Sequence, residues 1–597
     1  MKSSSYRNYA YGFSDVTANS TLGGIDRAFV DDTDEDDTVS LTSTSITQNS
    51  TSFAVTANSF DRVFATSTNG GNDSATVTDT SGNDNLAVKE SKTTMQFSTG
   101  PIGHLEGFSS VTVNASSGGE DSALLYDSAL DDTVILNPNS GSISRTGFNT
   151  QVNDFEKIVA YNLAGGDDTV TINDSNGDDR LVFDWNKAYL EGNGFKIAAS
   201  GFNDVTVNAN QGGTDLAHVN DTPGNDQLTM NETSTTLTGS GLMFTANNFE
   251  RVYAYSNTGY DTATLTDSPG NDSFVGRHDW SYFRLPGTLL YVIDYAMVRV
   301  HATEGGTDRA SLRDSNDKET FTLTPTRTMK QHSDFTTVVD GFEDVYSYSS
   351  GGDDVAKFIG STEDDILIVK PDYSYLHKDG IETFAIGFPT LNVDGNGGAN
   401  DVARLYDSAG DEWFWENGSY ATYNTNGSEY KIEDFDKIHL YGHSGGNNIL
   451  AEVVDLEAYY QTYGSWTNFI PAQAGSYLFD FSQPDADLTF TDARATLTQG
   501  IFPDKITIAF ADPTANSSTL SMSVIGTTDK TITIRLATNG NGTITSTGSD
   551  VEALINGNSI ANSLVHAFSE GTGSGIVEAH VATDIPDGID PPVPPPS

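Results

Sequence analysis

The 597-residue chain has no cysteine, and it has only 30 lysines and arginines against 83 aspartates and glutamates. Without cysteine, a disulfide scaffold, a thiolate-ligated zinc site, an iron–sulfur cluster and a thiol nucleophile are excluded. The formal charge of −53 argues against nucleic acid and anionic lipid as partners, because their phosphates require lysine and arginine. The most apolar stretch, from Leu289 to Val300, is interrupted by Asp294, so we expect no membrane insertion.

Motifs for catalysis and export are also missing. The ten histidines are scattered, and the chain has no HExxH motif, no Gly-x-Ser-x-Gly elbow and no P-loop. Residues 1–20 lack the apolar core that a signal peptide needs. The absence of catalytic motifs leads us to predict that the protein is not an enzyme.

A repeat of about 47 residues dominates the sequence. Each unit reads Phe-x-x-Val, then Gly-Gly-x-Asp-x-Ala-x-Leu, then Asp-Ser-x-Gly-Asn-Asp. The aromatic residue recurs every 46 to 48 residues, at Phe13, Phe60, Phe108, Phe155, Phe202, Phe249, Tyr295, Phe342, Phe388 and Phe435. The aspartate after the glycines recurs at the same spacing, at Asp26, Asp73, Asp121, Asp168, Asp215, Asp261, Asp308, Asp354 and Asp401. Two markers that agree over nine units indicate a repeat array.

The units are predicted to be strands, because apolar residues alternate with threonine, tyrosine and asparagine, as in Val170 and Ile172. Glycine pairs and Gly-Asn-Asp tripeptides end the strands, since they accept positive φ. One unit cannot bury its own apolar face, so the units must stack. We predict an all-β fold, a right-handed parallel β-solenoid of about nine to ten repeats, with two coils of three short strands per unit. A β-propeller is the alternative, but propellers usually close at about 4–8 blades.

The repeat pattern also sets the domain boundaries. We assign residues 1–450 to the solenoid, 451–485 to a C-terminal cap or linker, 486–585 to a small α+β module and 586–597 to a proline-rich tail. In the module we expect strands at 505–510, 519–524 and 531–536, and a helix that begins with a capping box at Ser549 and Glu552.

The turn sequence Gly165-Gly166-Asp167-Asp168-Thr169-Val170 and its copies resemble the Asp/Gly-rich repeats of large secreted bacterial surface proteins. They are more loosely similar to the calcium-binding β-roll repeat, from which they differ in period and in lacking one Gly-x pair. The resemblance implies an exported, extended surface protein that responds to calcium, located outside the cell or on its surface.

Stacking of the units would align three columns of acids, whose carboxylates and turn carbonyls suit Ca²⁺. We expect each site to combine a first-column aspartate such as Asp168 with a flanking acid such as Asp174 or Asp179. The alternative is that these aspartates only cap their own turns. The candidate ligands are Asp121, Asp127, Asp168, Asp174, Asp179, Asp215, Asp221, Asp226, Asp261, Asp267 and Asp272.

The clearest break in the repeat is Arg277-His278-Asp279-Trp280-Ser281-Tyr282-Phe283-Arg284. Its basic residues and rings would suit contact with a glycan, or the acid–base chemistry of a β-helical polysaccharide lyase, hydrolase or epimerase. The alternative is that the rings only pack on the solenoid face. The candidate glycan contacts are Arg277, His278, Trp280, Tyr282, Tyr373, Tyr375, Trp413 and Trp415.

Taken together, these features predict a non-enzymatic, calcium-stabilised surface or adhesion-type protein, with the polysaccharide-active enzyme as the alternative function. The expected partners are a glycan, another surface protein or, end to end, a second copy of the chain.

Overall fold

The computed structural model describes residues 12–417, 419–425, 427–454, 458–469, 476–479, 488–492, 506–513, 515–526, 530–569 and 573–585. The predicted proline-rich tail at 586–597, residues 1–11 and much of the predicted cap lie outside these ranges. The chain divides into two compact units, residues 1–403 and 404–597. The division therefore falls inside the predicted solenoid and not at its end.

Alternation along each strand builds the first unit. In the strand Arg180–Asp184, Leu181 and Phe183 are fully buried, whereas Arg180 and Asp184 are exposed. The same alternation recurs in strand after strand, so apolar side chains point inward and polar side chains outward. The strands form two sheets with the apolar core between them, which confirms the predicted β-solenoid.

Sheet 1 is ordered by strand pairing and not by chain position. Its strands in the first unit are, in spatial order, β1 (Asp15–Asn19), β5 (Ala54–Asn58), β4 (Ser45–Asn49), β3 (Thr38–Leu41), β7 (Ser74–Thr78), β11 (Ser110–Asn114), β15 (Phe148–Asn153), β14 (Ser140–Arg145), β13 (Thr133–Asn137), β17 (Thr169–Asn173), β21 (Asp204–Asn208), β25 (Leu242–Asn247), β24 (Ser234–Gly239), β23 (Gln227–Met230), β27 (Thr262–Thr266), β31 (Met297–His301), β35 (Thr336–Asp340), β34 (Arg327–Gln331), β33 (Thr320–Leu323), β37 (Val355–Ile359) and β41 (Thr390–Asp394).

Sheet 2 is built in the same way. Its strands in the first unit are, in spatial order, β2 (Arg27–Asp31), β6 (Arg62–Thr66), β10 (Ile102–Glu106), β9 (Lys92–Gln96), β8 (Asn85–Lys89), β12 (Ser122–Tyr126), β16 (Lys157–Tyr161), β20 (Phe195–Ser200), β19 (Lys187–Gly192), β18 (Arg180–Asp184), β22 (Leu216–Asn220), β26 (Arg251–Tyr255), β30 (Leu289–Ile293), β29 (Trp280–Arg284), β28 (Ser273–Gly276), β32 (Arg309–Arg313), β36 (Asp344–Tyr348), β40 (Ile381–Ile386), β39 (Tyr373–Lys378) and β38 (Ile366–Lys370).

The path of the chain corrects the predicted two coils per unit. From Phe155 the chain makes β16 in sheet 2, β17 in sheet 1 and the meander β18–β19–β20 in sheet 2, and the next unit starts with β21 in sheet 1. One unit thus passes through three sheet segments, which is one and a half circuits. Successive units therefore start on opposite sheets.

The meanders are the second departure from the prediction. In each, the middle strand runs antiparallel to its neighbours, as β19 does between β18 and β20. The loop Asp379-Gly380, between β39 and β40, has φ of 49° and 89°, the two positive values of a type I′ hairpin turn. The meander folds back on itself, so its last strand, and not its first, lies beside the strand of the previous circuit.

Close packing of successive turns explains the second glycine of most glycine pairs. Gly118 and Gly119 both have positive φ, of 91° and 133°. A Cβ at Gly118 would meet no atom within 4 Å, whereas one at Gly119 would lie 2.6 Å from the carbonyl oxygen of Gly82 in the adjacent turn.

We therefore expect Gly119→Ala to destabilise the protein clearly more than Gly118→Ala. Both substitutions place a Cβ at positive φ, at a cost of about 1–2 kcal/mol, but only Gly119→Ala also pushes apart two stacked turns. Urea unfolding midpoints of the two variants measure the difference. Equal midpoints would show that the stacked turns give way without cost.

The second unit is described by itself. It contains β42 (Val402–Tyr406), which begins at the boundary, and β43 (Trp413–Asn417), β44 (Tyr420–Thr425), β45 (Ser428–Glu433), β46 (Lys437–Gly442), β47 (Ile449–Val454), β48 (Tyr459–Gly464), β49 (Thr467–Phe469), β50 (Ser476–Phe479), β51 (Leu488–Asp492), β52 (Ile506–Ala511), β53 (Ser521–Ile525), β54 (Lys530–Arg535), α1 (Gly548–Asn556), α2 (Ser559–Asn562), β55 (Val565–Ser569) and β56 (His580–Ile585). Strands β43–β44–β45 form another meander, and β46 pairs with β48 and β47 with β49 in parallel.

The remaining strands form the α+β module. Strands β50, β51 and β55 make one sheet, and β53, β54, β52 and β56 make another. Val551 and Ile555 of α1 are fully buried in the same core cluster as Ile508 and Ile532. The capping box was misplaced by two residues: Thr547 is the N-cap and Asp550 completes the box. The three predicted strands lie within two residues of β52, β53 and β54.

Candidate metal sites in the turns

In each unit the first-column aspartate follows the glycine pair, as Asp121 does, and the second and third follow it by about six and eleven residues, as Asp127 and Asp132 do. The third-column aspartates close their own turns. The carboxylate of Asp84 accepts hydrogen bonds from the backbone N–H and the hydroxyl of Thr80, at 2.7 and 2.8 Å. In the same way, the carboxylates of Asp132, Asp179 and Asp272 each accept hydrogen bonds from the backbone N–H and the hydroxyl of the serine four residues earlier. Side chains that accept from nearby backbone favour turns over strands, which is why each strand ends here.

The first-column aspartates join one turn to the next. The backbone N–H of Asp84 donates to Oδ1 of Asp121 at 2.7 Å. The equivalent bonds run from Asp132 to Asp168 at 2.6 Å, from Asp179 to Asp215 at 2.8 Å, from Asp226 to Asp261 at 2.7 Å and from Asp272 to Asp308 at 2.8 Å. Each bond spans 35 to 37 residues in the sequence. An acid of one circuit therefore accepts a hydrogen bond from the residue that precedes a strand of the neighbouring circuit.

The second-column aspartates also accept from the neighbouring circuit. Asp174 accepts from the backbone N–H of Gln211 at 2.8 Å, and Asp221 accepts from the backbone N–H of Asn257 at 2.8 Å. Asp127 and Asp267 do the same with Ala164 and Glu304. Capping of their own turns, the alternative to metal binding, thus describes the third column, whereas the first and second columns accept from the neighbouring circuit.

All eleven candidate ligands are buried. Their exposed fractions do not exceed 4% for Asp121, Asp127, Asp168, Asp174, Asp179, Asp215, Asp221, Asp226, Asp261, Asp267 and Asp272. Two of these ligands are the second residue of a pair of consecutive aspartates. In these pairs Asp167 and Asp178 are exposed, while Asp168 and Asp179 are buried.

The grouping differs from the one expected. Asp168 lies with Asp132 and Asp127 of the preceding unit, and burial, together with the negative charges of these two acids, raises the pKa of Asp168. Asp174 and Asp179 lie instead with Asp215 of the following unit, as the charges that act on Asp215 show. The reason is that stacked turns are separated by one circuit and not by one unit.

Two groups bring three carboxylates close enough to share a cation. One ligand oxygen from each of Asp79, Asp84 and Asp121 lies within 4.8 Å of the others, and the same holds for Asp221, Asp226 and Asp261. In the first group, Oδ2 of Asp121 is buried and has no hydrogen-bond partner. A buried, unpartnered carboxylate oxygen beside two further carboxylates suits a hard cation that takes six to eight oxygens at flexible distances.

An acid that the repeat consensus did not include adds to this group. Oε2 of Glu156 accepts the backbone N–H of Asp121 at 2.7 Å, and Glu250 and Glu343 do the same for Asp215 and Asp308. Burial first, with the charges of these glutamates and of neighbouring aspartates, raises the pKa of Asp121 to about 6, of Asp215 to about 7 and of Asp308 to about 6.

These glutamates occur in alternate units only. The residue after the repeat aromatic is Glu156, Glu250 or Glu343 in one set of units, and Ser109, Asn203 or Ala296 in the other. Because a unit makes one and a half circuits, the two sets turn at opposite edges of the solenoid. This alternation in the sequence could have predicted that a unit makes one and a half circuits. It could also have predicted that the extra glutamates gather at one edge of the solenoid.

The aromatic candidates form ladders on the outer face of sheet 2. Tyr282 and Trp280 of β29 continue a row of rings through Tyr291 and Tyr253, whose centroids are 4.5 Å apart and nearly parallel. Tyr373 and Tyr375 of β39 stack on each other at 6.2 Å, and both meet the ring of Phe384 at a tilt. These contacts cover part of each ring, while Trp280 remains 37% exposed. Trp413 and Trp415 lie on β43 in the second unit, where they stack on each other at 5.5 Å.

Arg277 and His278 line a small pocket together with Trp280 and Phe335. The guanidinium of Arg277 lies 5.0 Å over the ring of Trp280. The ring of His278 packs edge-on against His332 and Phe335, and its Nε2 is 3.3 Å from Asp279. The packing alternative therefore describes most contacts of this segment, while Nδ1 of His278 is buried without a partner.

Comparisons with known proteins add no assignment: no family model matches the chain, and no curated protein matches it. Among the described residues, neither helix has the length and apolarity that crossing a membrane would require.

Proposed function

We propose that this chain is a non-enzymatic structural or adhesion-type protein of the cell exterior, whose solenoid is stabilised by Ca²⁺ held in the turns. The observation that carries the proposal is the buried, unpartnered Oδ2 of Asp121 in its cluster with Asp79 and Asp84. The cluster Asp221, Asp226 and Asp261 is the second site.

The physical argument concerns charge. Three ionised carboxylates within a few ångströms repel one another, and their burial strengthens that repulsion because water screens it less. The backbone bonds to Asp84 and Asp121 leave lone pairs free, since an ionised carboxylate offers about four acceptor positions. A divalent cation would use those positions and offset the repulsion. Sites of this kind in extracellular modules bind calcium with Kd on the order of 10⁻⁴–10⁻³ M.

The structural part of the proposal is supported by the continuity of the stack. Each circuit of the first unit donates backbone hydrogen bonds to acids of the next, so the turns form one connected ladder along the solenoid. A cation bound at any turn would strengthen the junction between two circuits. Such a solenoid holds its two ends apart, as a surface spacer does.

We expect calcium to raise the melting temperature of the protein by a few degrees at millimolar concentration. Binding to the folded state alone contributes about 1.4 kcal/mol per site at a calcium concentration ten times Kd. The measurement is thermal unfolding followed by circular dichroism across a calcium titration at pH 7.5. Sodium chloride at matched ionic strength is the control, because simple screening also stabilises so acidic a chain.

Asp121→Asn and Glu120→Gln separate a bound ion from screening. Both remove one charge, but Glu120 is exposed while Asp121 is buried and belongs to the cluster. The asparagine keeps an acceptor for the N–H of Asp84, so the variant should fold. Asp121→Asn should lose about half of the calcium-dependent stabilisation, and Glu120→Gln should keep nearly all of it. Equal losses in the two variants, or a calcium effect that sodium chloride reproduces in full, would contradict the proposal.

A further inference from the structure

In the strands between residues 12 and 296, lysine and arginine are concentrated on one of the two sheets. Among the strands between residues 12 and 296, those of sheet 2 contain ten lysines and arginines, whereas those of sheet 1 contain one, Arg145. The side chain of Arg145 is buried and pairs with Asp132 at 2.8 Å. Up to residue 296 the outer face of sheet 1 carries few charges, and it has rows such as Thr171 and Thr206 beside Asn173 and Asn208.

Six of the basic residues of sheet 2 fall on one register line across ten consecutive strands, β16 to β32. The line runs Lys157, Lys196, Arg180, Arg251, Arg284, Arg309, and we call it the basic row. At about 4.8 Å per strand, it extends for roughly 43 Å along the solenoid. One acid, Glu191, interrupts it, and Asp344 lies just beyond its end.

The basic row points to solvent. The side chains of Arg180, Lys196 and Arg309 are 51%, 62% and 59% exposed although each has a carboxylate neighbour on the same face. Within the part of the chain that the structure describes, no carboxylate lies within 4.0 Å of the basic groups of Lys157, Arg251 or Arg284. The glutamates that precede two of them, Glu156 and Glu250, accept backbone N–H groups inside the turns instead.

Hydroxyl groups accompany the charges. Tyr189, Tyr253 and Tyr291 occupy the next outward position on β19, β26 and β30 and form a second line beside the basic row. Tyr253 and Tyr291 stack on each other with centroids 4.5 Å apart, and the hydroxyl of Tyr189 donates to Glu191 at 2.5 Å. A row of cations beside a row of hydroxyls suits a polymer that carries both carboxylates and hydroxyls.

We propose that the basic row of sheet 2 binds an acidic polysaccharide, whose single chain lies along the solenoid axis. The proposal goes beyond calcium stabilisation and names the glycan class and the face that takes it. A nucleic acid suits the row less well for two reasons. The stacking of Tyr253 on Tyr291 covers ring faces on which bases could otherwise stack. A broad polyanion would also overlap the exposed acids of the adjacent turns, such as Glu120 and Asp178.

The test uses the full chain and hyaluronan, a polymer with one carboxylate in every disaccharide. Biolayer interferometry at 50, 150 and 500 mM sodium chloride would measure binding. The comparison probes are hyaluronan with its carboxylates reduced to alcohols and single-stranded poly(dT). We expect hyaluronan to bind, its affinity to fall steeply with salt, and both comparison probes to bind at least about tenfold more weakly.

A matched pair of triple variants assigns the binding to the row. Arg180→Gln, Arg251→Gln and Arg284→Gln together should weaken hyaluronan binding by about tenfold or more. Arg299→Gln, Arg327→Gln and Lys357→Gln remove three exposed positive charges from sheet 1 strands and should change binding less than about twofold. If the first triple variant does not fold, Lys157→Gln with Lys196→Gln takes its place.

Three results would overturn the proposal: no binding of hyaluronan at any salt concentration, equal weakening by both triple variants, or preferential binding of poly(dT). The test is independent of the calcium proposal, because Asp121→Asn leaves the basic row intact and should bind hyaluronan as the wild type does. Loss of the calcium effect with retained hyaluronan binding would therefore reject only the calcium proposal.

Discussion

Acidification from about pH 8 to about pH 5 in calcium-free buffer should make the protein more resistant to urea. The cause is the raised pKa of buried turn acids, about 7 for Asp215 and about 6 for Asp121, Asp308 and Asp354. In the unfolded chain these groups have the ordinary pKa near 3.8. The folded state therefore takes up protons more readily than the unfolded state, so its stability rises as the pH falls through 7 and 6. Above about pH 8 the same groups are ionised in both states and stability should be lowest.

The size of the effect follows from the number of groups. One pKa unit corresponds to about 1.4 kcal/mol, and several turn acids are shifted in the same direction, so a total of several kcal/mol is expected even after allowance for screening. Urea unfolding at half-unit pH steps would measure it. Asp215→Asn should flatten the profile between pH 8 and 6, and Asp178→Asn, which removes an exposed acid of the preceding turn, should not.

Calcium and protons should oppose each other in this experiment. A cation bound by Asp79, Asp84 and Asp121 requires their ionised form, so calcium should stabilise most near pH 8 and least near pH 5. A calcium effect that stays constant over this range would indicate binding elsewhere. Stability that falls steadily from pH 8 to pH 5 would show that the hydrogen bonds to these acids outweigh their mutual repulsion.

Removal of a core ring should produce the largest loss of stability of any single substitution. Phe183 of sheet 2 and Phe244 of sheet 1 are both fully buried, and their rings stack across the core with centroids 4.0 Å apart. Phe183→Ala should cost about 3–5 kcal/mol, because it loses both the buried ring and the packing around the resulting cavity. Phe29→Ala provides the matched control. Phe29 is 59% exposed on the outer face of sheet 2, so this substitution should lower the free energy of unfolding only slightly.

The solenoid of the Phe183→Ala variant should unfold locally before it unfolds as a whole. Each circuit contacts only its neighbours, so a cavity at Phe183 weakens the junction between adjacent circuits more than distant ones. Hydrogen exchange of Phe183→Ala should therefore increase first in β18, β22 and β25, while strands near β7 keep their protection. A uniform increase along the first unit would show that the solenoid unfolds as one cooperative body.

The pattern of each strand was predictable because it is local. Alternating apolar residues specify which side chains face inward, and Phe155 and Phe202 at the repeat position are buried as expected. Glycine pairs and aspartates specify where strands end, and the small module follows its apolar runs closely. Asp379-Gly380 was also a hairpin signal in the sequence, and together with the alternation of Glu156 and Ser109 it contained the information for the meanders and the half-circuit.

The sequence by itself therefore determined the period, the inward residues, the turn positions and the stacked-repeat class of fold. Only the tertiary structure decided which turns meet, because that depends on how many sheet segments one unit traverses. With three segments per unit, Asp121 lies beside Asp84 and Asp79, and Asp168 beside Asp132, in both cases across a unit boundary. The same geometry places Lys157, Arg251 and Arg284 on one face. Their separations in the sequence follow no single interval, and the positions align only when the meanders fold back between circuits.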